Sequence, residues 1–181
     1  KARDTRLVIS TSTTALQSQL LEKDLPAISA ASATPFTFAL AKGRGRYVCK
    51  DKLLRQAEIE TAAQDLMDFG DDPAQPPAPG DALTAQARVQ LYRSLVDAVH
   101  AGWDGDRDGL DAPLPPEVWA PVAAERHTCT VKACPQFDDC AYYRARRKLA
   151  DVDVIVTNHD LLLASMNARV LPALSGCLLV V

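Results

Sequence analysis

Residues 6–21 read Arg6-Leu7-Val8-Ile9-Ser10-Thr11-Ser12-Thr13-Thr14-Ala15-Leu16-Gln17-Ser18-Gln19-Leu20-Leu21, and their order sets the fold class. Leu7, Val8 and Ile9 form a short, apolar, β-branched run of the kind that is buried in a sheet. The strand runs to Ser10, and hydroxyl side chains follow from Thr11 to Thr14; such residues cap helices by accepting hydrogen bonds from the first unpaired amides. Ala15 to Leu21 then continues as a helix. Strand, hydroxyl-rich turn and helix make half of a βαβ unit. Unpaired amides at the start of such a helix can also hold a phosphate. Capping alone accounts for the hydroxyls, so the two readings compete.

The same grammar recurs further along the chain. Asp153-Val-Ile-Val-Thr157 reads as a second strand, and it enters a helix that begins in Asn158-His159-Asp160-Leu161-Leu162-Leu163. Phe36 to Leu40 reads as a strand with Phe and Leu on alternating faces. Leu178 to Val181 is a last apolar strand that stops on buried-type residues with no turn after it, which reads as a piece of a longer protein. Alternating strands and helices imply a parallel sheet with crossover helices.

The middle of the chain is different, nearly all helix and loop. Asp51 to Phe69 reads as a helix, with Leu53, Leu54, Ala57, Ile59, Ala62, Leu66 and Phe69 at three- and four-residue spacing. Gly70 to Gly80 is a proline-rich loop. Leu83 to Ala101 is a second helix, with Leu91, Leu95, Val96 and Val99 as its apolar stripe. Trp103 to Gly109 alternates aspartates in the manner of a calcium loop. It lacks the terminal glutamate and a plausible exit helix, so it reads as a solvated acidic loop. Pro116 to Ala124, with Trp119, is a short helix or turn, and Ala141 to Ala150 is a basic helix.

The 181 residues are 48% hydrophobic with a net charge of -3, which allows one domain or one and a fraction and does not by itself call for a nucleic-acid partner. The charges are segregated. Lys42, Arg44, Arg46, Lys50, Lys52 and Arg55 form one basic run, and Arg144, Arg146, Arg147 and Lys148 form another. Acidic residues collect between them. No apolar run is long enough to cross a membrane, and the N-terminal residues lack the apolar core of a secretory signal. A cytoplasmic, reducing setting is the expectation, and there a cysteine cluster is more often metal-binding or catalytic than disulfide-bonded.

Each basic run adjoins cysteines. Cys49 ends Lys42-Gly43-Arg44-Gly45-Arg46-Tyr47-Val48-Cys49, and Cys129, Cys134 and Cys140 lie at C-x4-C-x5-C spacing before the basic helix. Four thiolates can close one zinc site or one iron–sulfur cluster. Zinc ligands commonly come as two close pairs, which the x5 gap and the lone Cys49 match poorly, while a larger cluster tolerates looser spacing. Four unrelated thiols and disulfides are the other readings. The fifth thiol, Cys177, sits in an apolar run and reads as a small core residue.

In this order the motifs resemble the iron–sulfur superfamily-2 DNA helicases of the XPD/DinG group, most nearly the bacterial DinG branch. Residues Val8 to Leu20 resemble the motif Ia of that family. Lys42 to Cys49 is similar to its KGR..Y.C approach to the cluster. The remaining cysteines follow, with Cys134-Pro135 and Tyr142-Tyr143-Arg144-Ala145-Arg146. Ala150 to Leu163 is similar to a segment written A-D-[IV]-[IV]-V-x-N-H-x-L-L.

The resemblance implies an α/β fold: a partial RecA-like parallel sheet (motor domain 1) carrying an inserted, mostly α-helical iron–sulfur domain. Residues 1–40 and 151–181 would belong to the motor and residues 41–150 to the insert. It implies a 5′-to-3′ helicase driven by ATP and Mg²⁺ in the parent protein, working with a second motor domain on single-stranded or forked DNA. No G-x-x-x-x-G-K-[ST] loop occurs in the sequence, and the acidic box would follow Val181, so no catalytic residue is expected in this stretch. A [4Fe–4S] cluster would rest on Cys49, Cys129, Cys134 and Cys140 and brace a strand-separating wedge. DNA contacts would come from Thr11, Thr13, Lys42, Arg44, Arg46, Tyr47, Tyr142, Tyr143, Arg144, Arg146, Arg147, Asn158 and His159, because single-strand channels combine cations with aromatic faces. The rival from another class is a zinc-stabilised nucleic-acid or protein binding module without motor activity.

Overall fold

The computed structural model describes residues 5–68, 83–168, 171, 172, 174 and 176–181. The proline-rich run at 70–80 and Phe69 lie outside them. In chain order the elements are β1 (Leu7–Thr11), α1 (Thr14–Gln19), α2 (Leu25–Ala31), β2 (Phe38–Leu40), α3 (Lys50–Asp68), α4 (Ala85–His100), α5 (Pro116–Trp119), α6 (Ala141–Ala150), β3 (Val154–Asn158), α7 (His159–Ala168) and β4 (Leu178–Val180). The chain divides into two compact units, residues 1–43 with 143–181, and residues 44–142.

The first unit is a four-stranded parallel sheet in the order β2-β3-β1-β4. Leu7 lies opposite both Val154 and Leu178, and Phe38 also lies opposite Val154. Alternation along the strands sends side chains to two faces. Val8 and Ile155 pack with Leu149 of α6 and Leu162 of α7 on one face. Val154 and Val156 pack with Leu25 of α2, flanked by Leu20, Leu21, Phe36 and Phe38, on the other. Cys177 is half-buried against the first cluster. Covering on both faces explains why the inner strands read as continuous apolar runs.

Two details depart from the sequence expectation. Leu178, Leu179 and Val180 of β4 are 48–60% exposed, not buried, because β4 has one neighbouring strand among the described residues. The helical path after β1 does not stop at Leu21 but runs on to Ala31. Pro26 cannot donate to the ladder, and its ring crowds the preceding turn. The chain answers with a widened turn over Leu20–Asp24, where the Leu25 amide reaches back five residues to the Leu20 carbonyl.

The start of the sheet is held by polar clips. Asp153 Oδ2 accepts from the Thr37 amide at 2.8 Å and from the Thr37 hydroxyl at 2.9 Å. These bonds, the amide first, hold the Asp153 carboxyl below its usual range. The Arg6 guanidinium donates to the carbonyls of Val152 and Ala150, so it also caps the last turn of α6.

The second unit is a helical hairpin, α3 against α4, with irregular chain around it. The face of α4 that is buried carries Val89, Tyr92 and Leu95, with Leu91, Val96 and Val99 only partly covered. The stripe is therefore rotated from the one expected: Tyr92 is 1% exposed because its hydroxyl finds the Val118 carbonyl at 3.0 Å. Arg88 pairs with Glu60 across the hairpin at 3.2 Å. Among the described residues no helix is long and apolar enough to cross a membrane.

Candidate functional site

The second unit is threaded by the three residues before α3. The Val48 amide donates to the Gly105 carbonyl at 2.8 Å and the Cys49 amide to the Val122 carbonyl at 2.7 Å, while the Tyr47 carbonyl accepts from the Ala124 amide at 2.8 Å. Val48 is fully buried. Gly105 has φ of +84°, and a Cβ there would stand 2.5 Å from the Ala141 Cβ and 3.0 Å from Val48 Cγ1. Only glycine lets this loop lie against the thread.

Four tie points fix the Gly-Arg-Gly-Arg turn ahead of the thread. Arg44 lies over the Tyr142 ring, 4.0 Å from its centroid. The Trp119 indole N–H donates to the Gly45 carbonyl at 2.7 Å. Arg46 forms a two-pronged ion pair with Asp108. Tyr47 and Tyr142 meet edge to face at 5.9 Å between centroids. Tyr47 is 6% exposed, and Tyr142 is 3% exposed. Burial, reinforced by the Asp106 and Asp104 carboxylates, pushes the Tyr47 phenol well above its usual range.

This geometry alters the expected division of labour. Tyr47 and Tyr142 are core residues here, so their ring faces are closed to a stacking base. The acidic loop is not simply solvated either. Asp104 accepts from the Asp106 amide, Asp106 from the Asp108 amide, and Asp108 holds Arg46. Sequence reasoning missed this because opposite charges 62 positions apart carry no local signal.

The four cysteines all fall in the second unit, and each is half-buried and in thiol form, none disulfide-bonded. Cys49 and Cys140 immediately precede α3 and α6. Amides of Lys52 and Asp51 at the start of α3 point to the Cys49 sulfur and lower its pKa. Burial outweighs them and pushes the thiol up, and Cys134 and Cys140 lie near enough to add to that rise. A helix N-terminus favours the thiolate, the form that ligates a metal. Cys129 and Cys134 flank a strained turn: Val131, β-branched, has φ of +52°. Among the described residues no three of His, Cys, Asp and Glu stand together closely enough to hold a single metal ion. Cys134 and Cys140 are the thiols that act on Cys49.

The remaining expected positions belong to the first unit. Thr13 caps α1, its oxygen accepting from the Leu16 amide at 3.3 Å, and Thr11 is buried with its hydroxyl donating to the Thr13 carbonyl. Asn158, not His159, caps α7, through the Leu161 amide at 2.9 Å. His159 Nδ1 lies 2.6 Å from the hydroxyl of Ser10, a residue with no expected role. On α6, Arg144 and Arg147 are exposed while Tyr143 and Arg146 are half-buried; Lys42 is half-buried before the first glycine of the turn. Arg147 and Lys148 occupy the last turn of α6, where positive charge suits the helix dipole.

A parallel α/β sheet, covered on both faces, whose chain makes an excursion through a cysteine-bearing helical unit defines the class. No family model matches the chain. Its relatives are named ATP-dependent DNA helicase DinG: 37% identity to the protein of Photobacterium profundum over 89% of the chain, and 34% to those of Escherichia coli K12 and Salmonella choleraesuis over 96%. The chain is similar to these DinG helicases along most of its own length, and it spans about a quarter of theirs, 22% and 24% for the first two.

Proposed function

We propose that this chain is the part of an ATP-dependent 5′-to-3′ DNA helicase that holds an iron–sulfur centre and grips single-stranded DNA. The observation that carries the reading is the similarity to DinG helicases along 89–96% of the chain, with four half-buried thiols gathered in one unit. Residues 1–40 and 151–181 would be the motor portion and 41–150 the iron–sulfur insert. ATP and Mg²⁺ would bind elsewhere in the parent protein, and a second motor domain would be the partner within the same chain.

Cys49, Cys129, Cys134 and Cys140 would hold a [4Fe–4S] cluster. Bound there, the cluster would supply a rigid cross-link and a centre able to change charge by one electron. The protein's own share is clearer. Cys49 and Cys140 stand just before α3 and α6, and the Tyr47–Cys49 thread fixes the position of the first of them. Gly105, Trp119, Asp108 and Tyr142 hold the Lys-Gly-Arg-Gly-Arg approach in shape, giving Arg44, Arg46 and Tyr47 a structural task. The DNA surface then rests on Lys42, Tyr143, Arg144 and Arg146, with Thr11, Thr13, Asn158 and His159 at the C-terminal edge of the sheet. That edge is where ligands gather in parallel α/β sheets.

The direct test is binding of an oligothymidylate by the full-length helicase carrying this segment. Charge removal at Arg144 and Arg146 should weaken binding at every sequence and flatten its salt dependence by about one unit for each phosphate no longer neutralised. Unchanged affinity and slope in the Arg144→Ala/Arg146→Ala protein would remove α6 from the DNA surface.

A further inference from the structure

We propose that Ser10 is a positioning residue for His159: its hydroxyl donates to Nδ1, keeps the ring proton on Nε2, and so makes His159 a neutral donor to a DNA phosphate. This rests on the DNA-binding reading above and adds to it a residue, Ser10, and the means by which that residue acts.

The topology brings the two residues together. β1 and β3 are parallel neighbours, with Ser10 opposite Thr157 and Thr11 opposite Asn158. The turns that leave the two strands therefore start side by side. His159 is the first residue of α7, and its Nδ1 comes within 2.6 Å of Ser10 Oγ. Ser10 is 4% exposed, and among the described residues this is the bond its side chain makes.

Proton counting then decides the direction. A buried hydroxyl has one proton to place, and leaving it unpaired is unfavourable. If Nδ1 carried the ring proton, it would donate to Ser10 Oγ and the serine proton would need another acceptor. If Nδ1 is bare, the serine proton goes to it and every group is satisfied. The second arrangement leaves the ring proton on Nε2, because the bond made by one nitrogen sets the state of the other.

The turn that leaves the adjoining strand offers a second donor. Thr13, in the turn after β1, spends its oxygen lone pair on the Leu16 amide and keeps its own O–H for donation. Asn158 commits its carbonyl oxygen to the Leu161 amide and is the cap of α7. Two neutral donors on adjoining turns suit a group that only accepts, and a nucleic-acid phosphate is such a group. Neither donor carries charge, so the interaction positions the strand without releasing counterions.

The test uses the full-length helicase with fluorescein-labelled oligothymidylate, read by anisotropy over a salt series, with thermal melts to confirm folding. S10A and H159A should each weaken binding about tenfold, as expected when a hydrogen bond to a charged acceptor is removed. The slope against log salt should stay at the wild-type value. S10T, which restores the hydroxyl, should bind as wild type, and S10A/H159A should bind no more weakly than H159A. The proposal is overturned if H159A is weak while S10A binds as wild type, or if the two effects multiply in the double variant. Failure of the wild-type protein to bind would instead sink the DNA-binding reading itself, before any variant is compared.

Discussion

The two units hold their shape by different means. In the sheet unit, order comes from repetition: three strand pairings in register and two apolar faces, each filled from several strands and helices. No single residue carries it. In the helical unit, outside the α3/α4 hairpin, order comes from a few singular contacts. Gly105 against Val48 and Ala141, Trp119 on Gly45, Asp108 on Arg46 and Tyr142 under Arg44 fix a chain with little regular structure. A repetitive unit degrades gradually under mutation, while a unit built on tie points should fail at one residue.

The largest expected effect breaks that contrast most openly. Gly105→Ala places a Cβ 2.5 Å from the Ala141 Cβ at a positive φ, and should cost about 3 kcal/mol or more. Hydrogen exchange should show faster exchange in residues 44–142 and sparing of the strands. Ile155→Val, at a fully buried sheet position, should cost only about 1 kcal/mol. Equal destabilisation by the two substitutions in chemical denaturation would erase the distinction between the units.

Val131→Gly runs the other way. It relieves a β-branched residue at φ of +52° in the cysteine loop and should stabilise the metal-free protein by about 1 kcal/mol. A lower melting midpoint would show that the valine side chain contributes more than its backbone strain costs.

The Asp108→Ala change should cost little stability, about 1 kcal/mol at most, because its ion pair with Arg46 is partly exposed. It sharpens the role of Arg46, since oligothymidylate affinity should stay unchanged if the arginine is structural. An affinity gain on releasing the arginine would return Arg46 to the DNA surface.

The smallest effect is acid-dependent and belongs to the sheet unit. Asp153 has a depressed carboxyl pKa through its bonds from Thr37. Its contribution is present above the unfolded carboxylate pKa and is lost as pH falls through the lower, folded value. Asp153→Asn should therefore lower stability slightly at neutral pH, flatten the acid-side slope, and converge with the wild type once pH falls below the folded value, as followed by denaturation midpoints from neutral pH into the acid range.

The contrast also explains what could be read without coordinates. Leu7–Ile9 and Val154–Val156 announced a parallel sheet because burial on both faces leaves an unbroken apolar run. The α3 and α4 helices were visible from spacing, but the buried face of α4 was not. Tyr92 looks like a surface aromatic until Val118 supplies a carbonyl for its hydroxyl. The helical path beyond Leu21 was hidden, because a proline ordinarily ends a helix and here a widened turn absorbs Pro26. The cysteines read as a set from their number and spacing, and what the fold adds is that all four fall in the helical unit. The Gly-Arg-Gly-Arg turn was legible as a motif but not as a scaffold, because its partners Tyr142, Trp119 and Asp108 are distant in sequence. Ser10 was invisible for the same reason.

On the proposed function, Cys49, Cys129, Cys134 and Cys140 form one thiolate set for an iron–sulfur cluster. Anaerobically purified protein should contain about four iron and four acid-labile sulfide per chain, with the broad visible absorption of such a cluster. Cys134→Ser should lose most of it. Stoichiometric zinc without sulfide would contradict the account and leave the zinc-stabilised binding module in its place.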